Sequence, residues 1–352
     1  MASRRQALVG DAVLLAALID GSGMSSIAEP WRRLTGRNKA VEFVDMCLRG
    51  AAQVMLQNNP LTGLLILIAI GVGAGIAGAP RLVGGAIVGV AVGTVTALLL
   101  RADAGSLRQG LFGFSPLLTG IGVLLFLRGG ALLWLLVIFG AAATTITTLA
   151  LIPVLRTWGL LPFTFPFVLT TWAVLMGAYQ FAAVTVATPS RPALPGAHSA
   201  PASPVTDVIP GMIEGVAQVY LIPSAVAGAI IVLGLAVNSL RAALFAIIGT
   251  VVASLVAIWY EAGAPAVEAG LWDFNAVLTA IALGAVSYRP TLPAILYTLF
   301  GIIATVFVQA ALTTVLQPLG IPTLTAPFVI TTWLFLLAKR HFGQDRPAPA
   351  TA

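Results

Sequence analysis

Charged side chains make up only 9% of the 352 residues, against about 25% in a soluble domain. A chain so poor in charge cannot dress a water-facing surface. With 59% hydrophobic residues and a mean hydropathy of +1.01, it reads as an integral membrane protein. Strict alternation over about ten residues is missing from the apolar runs, which excludes a transmembrane barrel and leaves helices as the spanning element. There is one cysteine, Cys47, so no intramolecular disulfide can form. Histidine is nearly absent: His198 and His341 both lie outside the apolar runs. That excludes an imidazole proton relay or ammonium path at mid-membrane. One cysteine and two peripheral histidines also supply no nucleophile or metal cluster for a membrane enzyme, and no cofactor or metal is expected. The formal charge of +6 is no nucleic-acid footprint, because the basic residues sit at the ends of apolar runs and there set topology. No cleavable signal peptide is expected, since the short run 12–19 is bracketed by Asp11 and Asp20.

What is present is a series of apolar segments in two sets. Residues 1–40 read as a cytoplasmic leader, with Ala7 to Ile19 as a short interfacial or packing helix. The first set spans 41–184, with segments at 41–57, 61–79, 82–100, 130–152 and 165–184 and a short one at 114–127. Residues 185–206 have the Pro, Ala and Ser content of a linker. The second set spans 207–340, with segments at 208–221, 223–240, 242–260, 291–316 and 326–339 and a short one at 274–287; residues 341–352 form a tail. The short segments fall below the roughly 20 residues of a full span and read as re-entrant. Arg32, Arg33, Arg37 and Lys39 precede the first set, and Lys339, Arg340 and Arg346 follow the last. Both termini are therefore expected in the cytoplasm, with an even number of spans.

The two sets are copies of one another. Leu160-Leu161-Pro162-Phe163-Thr164-Phe165-Pro166-Phe167 recurs as Ile321-Pro322-Thr323-Leu324-Thr325-Ala326-Pro327-Phe328, and Thr170-Thr171-Trp172 recurs as Thr331-Thr332-Trp333, all 161 residues apart. Gly50-Ala51-Ala52-Gln53 and Gly63 recur as Gly215-Val216-Ala217-Gln218 and Gly228. Leu111 to Thr119, containing Phe114 and Leu118, recurs as Leu271 to Thr279, containing Phe274 and Leu278. Five full spans per set is odd, so the two copies must insert in opposite orientation. The predicted fold is an all-α integral membrane protein: two inverted repeats of five transmembrane helices plus one re-entrant half-helix each.

Prolines break helices, and such breaks within a membrane are tolerated only where they are buried in protein or line a cavity. Two matched breaks point to a transport site at the repeat interface. The polar groups there are neutral. Thr164 and Thr325 offer hydroxyl oxygens beside free carbonyls, and Gln53 and Gln218 match across the repeat. Phe114 with Leu118, and Phe274 with Leu278, would wall a flat apolar slot. A small, planar, uncharged solute with several N–H donors suits both features. Glu214 and Arg49 occupy matched positions near span ends, which inverted symmetry would put on opposite sides of the membrane, so no pairing between them is expected.

At these residues the chain resembles the urea transporter family, whose hallmark is the Leu/Ile-Pro-x-x-Thr-x-Pro-Phe element in both halves. Ile321 to Phe328 matches it fully; the first copy carries Leu161 where proline stands in the hallmark, with Pro162 one place later. Gln53 to Gly63 and Asp273 to Leu278 are similar to the family's other repeated elements, and the resemblance spans roughly residues 41–340. It implies ten membrane helices and two half-spanning helices, a homotrimer in the lipid bilayer, and one passive pore per subunit. It further implies that Thr164 and Thr325 form an oxygen ladder and that Phe114 and Phe274 wall the slot with Leu118 and Leu278. Gln53 and Gln218 are then placed near two binding sites. Leu56, which Leu221 matches in the second half, stands where phenylalanine is frequent in the family, which leaves room for small amides besides urea. Two other readings remain. An aquaporin-like channel is prompted by Asn59-Pro60-Leu61, but the matched Pro223-Ser224-Ala225 has no asparagine. An ion-coupled secondary transporter of a small neutral solute would want an acidic residue at a helix break, and neither proline-threonine element has one. The compact chain and short loops suggest a bacterial inner membrane.

Overall fold

The computed structural model describes residue 31, residues 33–187 and residues 205–338. The expected leader helix at Ala7 to Ile19, most of the linker and the tail lie outside the described residues. Seven helices occupy the first half: α1 (Lys39–Gln53), α2 (Pro60–Ile76), α3 (Arg81–Leu99), α4 (Ala104–Arg108), α5 (Phe114–Phe126), α6 (Ala131–Arg156) and α7 (Phe165–Ala178). The second half repeats them in order: α8 (Val205–Gln218), α9 (Ala225–Asn238), α10 (Leu240–Trp259), α11 (Ala264–Glu268), α12 (Phe274–Ala280, continued as a π-helix over Ile281–Ser287), α13 (Leu292–Leu316) and α14 (Ala326–Ala338). The ends of the long elements differ from the expected segments by a few residues only. Two short helices, α4 and α11, carry no long apolar run and were not expected. Nor was the antiparallel pair in which β1 (Leu127–Arg128) meets β2 (Thr185–Val186), Leu127 opposite Val186. It fastens the first residues of the expected linker to the end of α5.

Among the described residues, four helices, α3, α6, α10 and the α13 region, are long and apolar enough to cross a membrane, and six shorter apolar helices accompany them. Their outer faces carry Leu99, Phe139, Trp259 and Phe300, all exposed. One continuous apolar core joins both halves, from Ile66 and Leu118 to Leu278 and Phe328. Small residues allow close helix approach in it. A methyl on Gly63 would overlap the Leu48 carbonyl oxygen of α1, and one on Gly228 would overlap the Ile213 carbonyl oxygen of α8.

The halves match in backbone detail. The described non-glycine residues with positive φ form three pairs: Leu56 and Leu221 at 59°, Arg101 and Glu261 at 54° and 55°, and Phe163 and Leu324 at 47° and 50°. Left-handed backbone costs a non-glycine residue energy and persists only where surrounding structure enforces it. The register shifts between the early pairs, 165 residues apart at Leu56 and Leu221 but 160 at Arg101 and Glu261, and shifts once more within α12. Thr119 bonds Thr144, 25 residues on, at 2.8 Å, whereas Thr279 bonds Thr305, 26 residues on, at 2.9 Å. The second half thus holds one extra residue between α12 and α13, and the π-helix absorbs it as a local widening. The Arg241 guanidinium closes that segment by donating to the carbonyls of Gly284 and Tyr288.

Candidate functional site

The two proline-threonine elements meet. Each leaves the chain irregular for a few residues, turns at a left-handed Phe163 or Leu324, and then starts α7 or α14. Proline suits the first turn of a helix, where its missing N–H costs nothing. Thr164 and Thr325 stand at those starts, and their hydroxyls bond one another at 2.7 Å across the two halves. Both are 2% exposed, so the pair sits in the interior. Each hydroxyl has one proton to give, so one donates and the other keeps a free O–H while accepting.

Two further bonds frame the pair. Trp172 Nε1 donates to the carbonyl of Pro322 at 2.8 Å, and Trp333 Nε1 donates to that of Leu161, also at 2.8 Å. Leu161 and Pro322 are the matched positions, so the contacts are reciprocal. What this position supplies is a backbone carbonyl, and that explains why leucine serves there as well as proline. The ring of Phe165 packs edge-on against Trp333 at 5.0 Å, and Phe163 against Phe328 at 5.3 Å.

The remaining expected residues flank the centre on both sides. On one side, Gly50 of α1 packs on Gly113, and the amide of Gln53 donates to the Gln109 carbonyl at 3.0 Å. This brings Gln53 to the corner where α5 begins with Phe114. On the other, Gly215 packs on Asp273 and Gln218 donates to the Ala269 carbonyl at 3.1 Å, bringing it to the start of α12 at Phe274. Phe114 and Leu118, and likewise Phe274 and Leu278, are four apart on a helix and share a face. Leu118 and Leu278 are fully buried, while Phe114 remains half-buried. The structure therefore joins the threonines directly and ties each glutamine to the loop that leads into its phenylalanine's helix. Arg49 and Glu214 do not meet: Arg49 pairs with Asp45 at 2.7 Å, and Glu214 accepts from Gln218 at 3.3 Å.

Several contributors gave no sequence signal. The turns holding Leu56 and Leu221 carry neither glycine nor asparagine at their left-handed residue. The first is held by Gln57, whose amide donates to the Met55 and Leu56 carbonyls at 3.0 and 3.2 Å, and by Asn238 of α9, which donates to Gln57 Oε1 at 2.7 Å. Isoleucine and glycine occupy the matched positions, Ile222 and Gly73, and pack against each other instead. Asp273, where the first half has Gly113, is fully buried and accepts from Ser254 at 2.9 and 3.0 Å. A groove of about 810 Å³ between α6 and α7 is apolar, and none of the candidate residues lines it. No group of three or more metal-ligating side chains exists among the described residues.

Comparison with known proteins agrees with this arrangement. Residues 44–340 match the family model described as Urea transporter. Urea transporter 1 of Capra hircus is 32% identical over 311 residues, covering 86% of this chain and 79% of the relative. Urea transporter 1 of Ovis aries is 31% identical over 318 residues, with 86% and 79% covered. The Mus musculus protein of the same name is 30% identical over 304 residues, with 84% and 77% covered. A match over most of the chain, with both hallmark elements brought to one point in the fold, means that this membrane protein belongs to the urea transporter family.

Proposed function

We propose that the chain carries urea across a membrane by facilitated diffusion, through a pore enclosed within each subunit. The observation that carries this reading is the Thr164–Thr325 hydroxyl pair at the meeting point of the two proline-threonine elements. Urea is planar and neutral, with four N–H donors and a carbonyl. It sheds water to enter an apolar slot, and an amide-like group left unpaired there costs about 2–7 kcal/mol. Hydroxyls that already bond each other can exchange that bond for one to the solute, so neither hydroxyl is left stranded during the crossing. Phe114 and Leu118 on one side, and Phe274 and Leu278 on the other, wall the approach for a flat molecule. Gln53 and Gln218 offer amides at the outer corners. Ions meet no compensating fixed charge at the centre and face a far larger desolvation penalty.

The reciprocal contacts support an inverted repeat. Trp172 on the Pro322 carbonyl and Trp333 on the Leu161 carbonyl are the self-complementary pattern of a twofold axis. With five spans in each of 41–184 and 207–340, that axis lies in the membrane plane. The same two bonds favour a fixed pore over an ion-coupled carrier, because rocking one half against the other would break both. Leu56 is smaller than the phenylalanine expected there, so small amides pass as well. A homotrimer in a bacterial inner membrane with both termini cytoplasmic completes the reading. The test is stopped-flow urea flux in proteoliposomes of the purified protein. Flux indifferent to sodium and pH gradients, and saturating only at high urea, supports the pore; flux that collapses with an ion gradient replaces it with a coupled carrier.

A further inference from the structure

Buried threonines in these helices follow a rule. Thr94, Thr119, Thr144, Thr279, Thr298 and Thr305 each donate the hydroxyl to the carbonyl four residues back. Thr62 and Thr250 donate instead to the carbonyls of Gly234 and Ile247, but four threonines make no bond at all, and they are matched in pairs: Thr170 with Thr331, and Thr171 with Thr332. All four hydroxyl oxygens are buried and have no hydrogen-bond partner. Their residue positions are again 161 apart, so the departure occurs twice. A buried hydroxyl without a partner is uncommon in native structures and calls for an unseen partner. Thr170 borders the apolar groove beside α6. Thr171 and Thr332 are fully enclosed, at 0% exposure.

The neighbours of Thr171 are informative. A methyl at Gly122 of α5 would stand in ordinary contact with Phe167 at 3.5 Å, Leu221 at 3.6 Å and the Thr171 methyl at 3.6 Å. Thr171 therefore belongs to a junction of α5, α7 and the left-handed turn of the opposite half. Seven residues separate Thr171 from Thr164, and Thr332 from Thr325, which is about 10 Å along a helix.

We propose that Thr171 and Thr332 are two further solute-contacting hydroxyls, one about 10 Å to each side of the central Thr164–Thr325 pair. The inference rests on the transport reading above and extends it from one polar station to three. A solute N–H that reaches either hydroxyl finds an oxygen kept free for it, because that hydroxyl does not bond its own helix. Threonine to valine removes the hydroxyl and keeps the shape.

The test compares wild type, Thr171→Val, Thr332→Val, the double variant, Thr171→Ser and the back-bonded control Thr148→Val in proteoliposomes, with thermal unfolding in detergent alongside. Losing one net hydrogen bond at a barrier slows flux by about two- to tenfold, so each valine variant falls by that factor and the double falls further. Thr171→Ser, which keeps the hydroxyl, and Thr148→Val both stay near wild type. Unfolding of the valine variants occurs no earlier than in wild type, since a hydroxyl without a partner contributes nothing to the fold. Wild-type flux with unchanged valine variants overturns the inference and leaves the transport reading intact. Earlier unfolding of Thr171→Val and Thr332→Val than of Thr148→Val also overturns it, because the hydroxyls then serve the fold. Absence of wild-type urea flux refutes the transport reading, and this inference with it.

Discussion

Removing the central hydroxyls one at a time and then together separates their structural role from their transport role. Thr164 and Thr325 bond each other at 2.7 Å in an interior where each is 2% exposed. Thr164→Val leaves the Thr325 hydroxyl buried without its partner, and a stranded buried group costs about 1–3 kcal/mol. Thr325→Val strands Thr164 in the same way. The double variant strands neither, and replacing both partners by apolar groups of the same shape is close to neutral. Stability should therefore be lower in each single variant by about 1–3 kcal/mol and restored by the second substitution, an interaction energy of similar size and opposite sign to the sum. Flux should run the other way. A single variant keeps one hydroxyl, freed from its mate, and loses about threefold; the double variant keeps none and loses about 10- to 100-fold, from roughly 0.5–1.5 kcal/mol per lost bond. Thermal unfolding in detergent reads the first quantity and stopped-flow light scattering of proteoliposomes reads the second. A double variant that is less stable than either single, or that conducts urea like wild type, refutes the reasoning.

Other substitutions probe the frame around this point. Gly63→Ala and Gly228→Ala drive a methyl into the carbonyls of Leu48 and Ile213 and should each destabilise by about 3 kcal/mol or more, seen as early thermal unfolding. Asn238→Leu removes the donor to Gln57 Oε1 and should loosen the Leu56 turn, costing about 1–3 kcal/mol and raising hydrogen exchange at residues 54–59. Leu56→Phe should narrow selectivity, lowering acetamide flux relative to urea in the same liposomes. Asp103 caps α4, with its carboxylate accepting the Ser106 N–H, which holds its pKa below the ordinary carboxylate value. Its contribution is therefore present above the ordinary aspartate pKa of about 3.9 and fades as pH falls through the lower folded value. Asp103→Ala should cost up to about 1 kcal/mol at neutral pH and nothing at the acid end, measured by unfolding against pH.

The apolar segments and their repeat were readable because both signals are dense. Long runs without charge fix the helices, and residues such as Gln53 with Gln218 or Thr164 with Thr325 recur in order. That the two threonines touch was not readable. Sequence placed them at matched positions, and only the fold shows that the positions meet. The left-handed turns at Leu56 and Leu221 were invisible for a physical reason: leucine is a poor left-handed residue, and its conformation is imposed by packing and, in the first half, by Gln57 and Asn238. The π-helix was hidden as well, although a careful count of residues between matched threonines contains it. α4 and α11 are too short to give a period. The misplaced proline at Leu161 was a puzzle in sequence and resolves once the carbonyl is seen to be the group in use.

The reciprocal bonds from Trp172 and Trp333 have a consequence for the history of the chain. Each half reaches for the same atom on the other, as two identical molecules would. A gene for one half, whose product inserted in both orientations, would already make the central hydroxyl pair and both tryptophan bonds. The halves of the present chain differ at Asp273 against Gly113, at Asn238 against Gly73 and by one extra residue in α12, and none of these differences touches the central contacts. Expressed as two separate polypeptides divided between residues 187 and 205, the halves should therefore still assemble through the contacts that join them, which co-purification of one tagged half with the other would read.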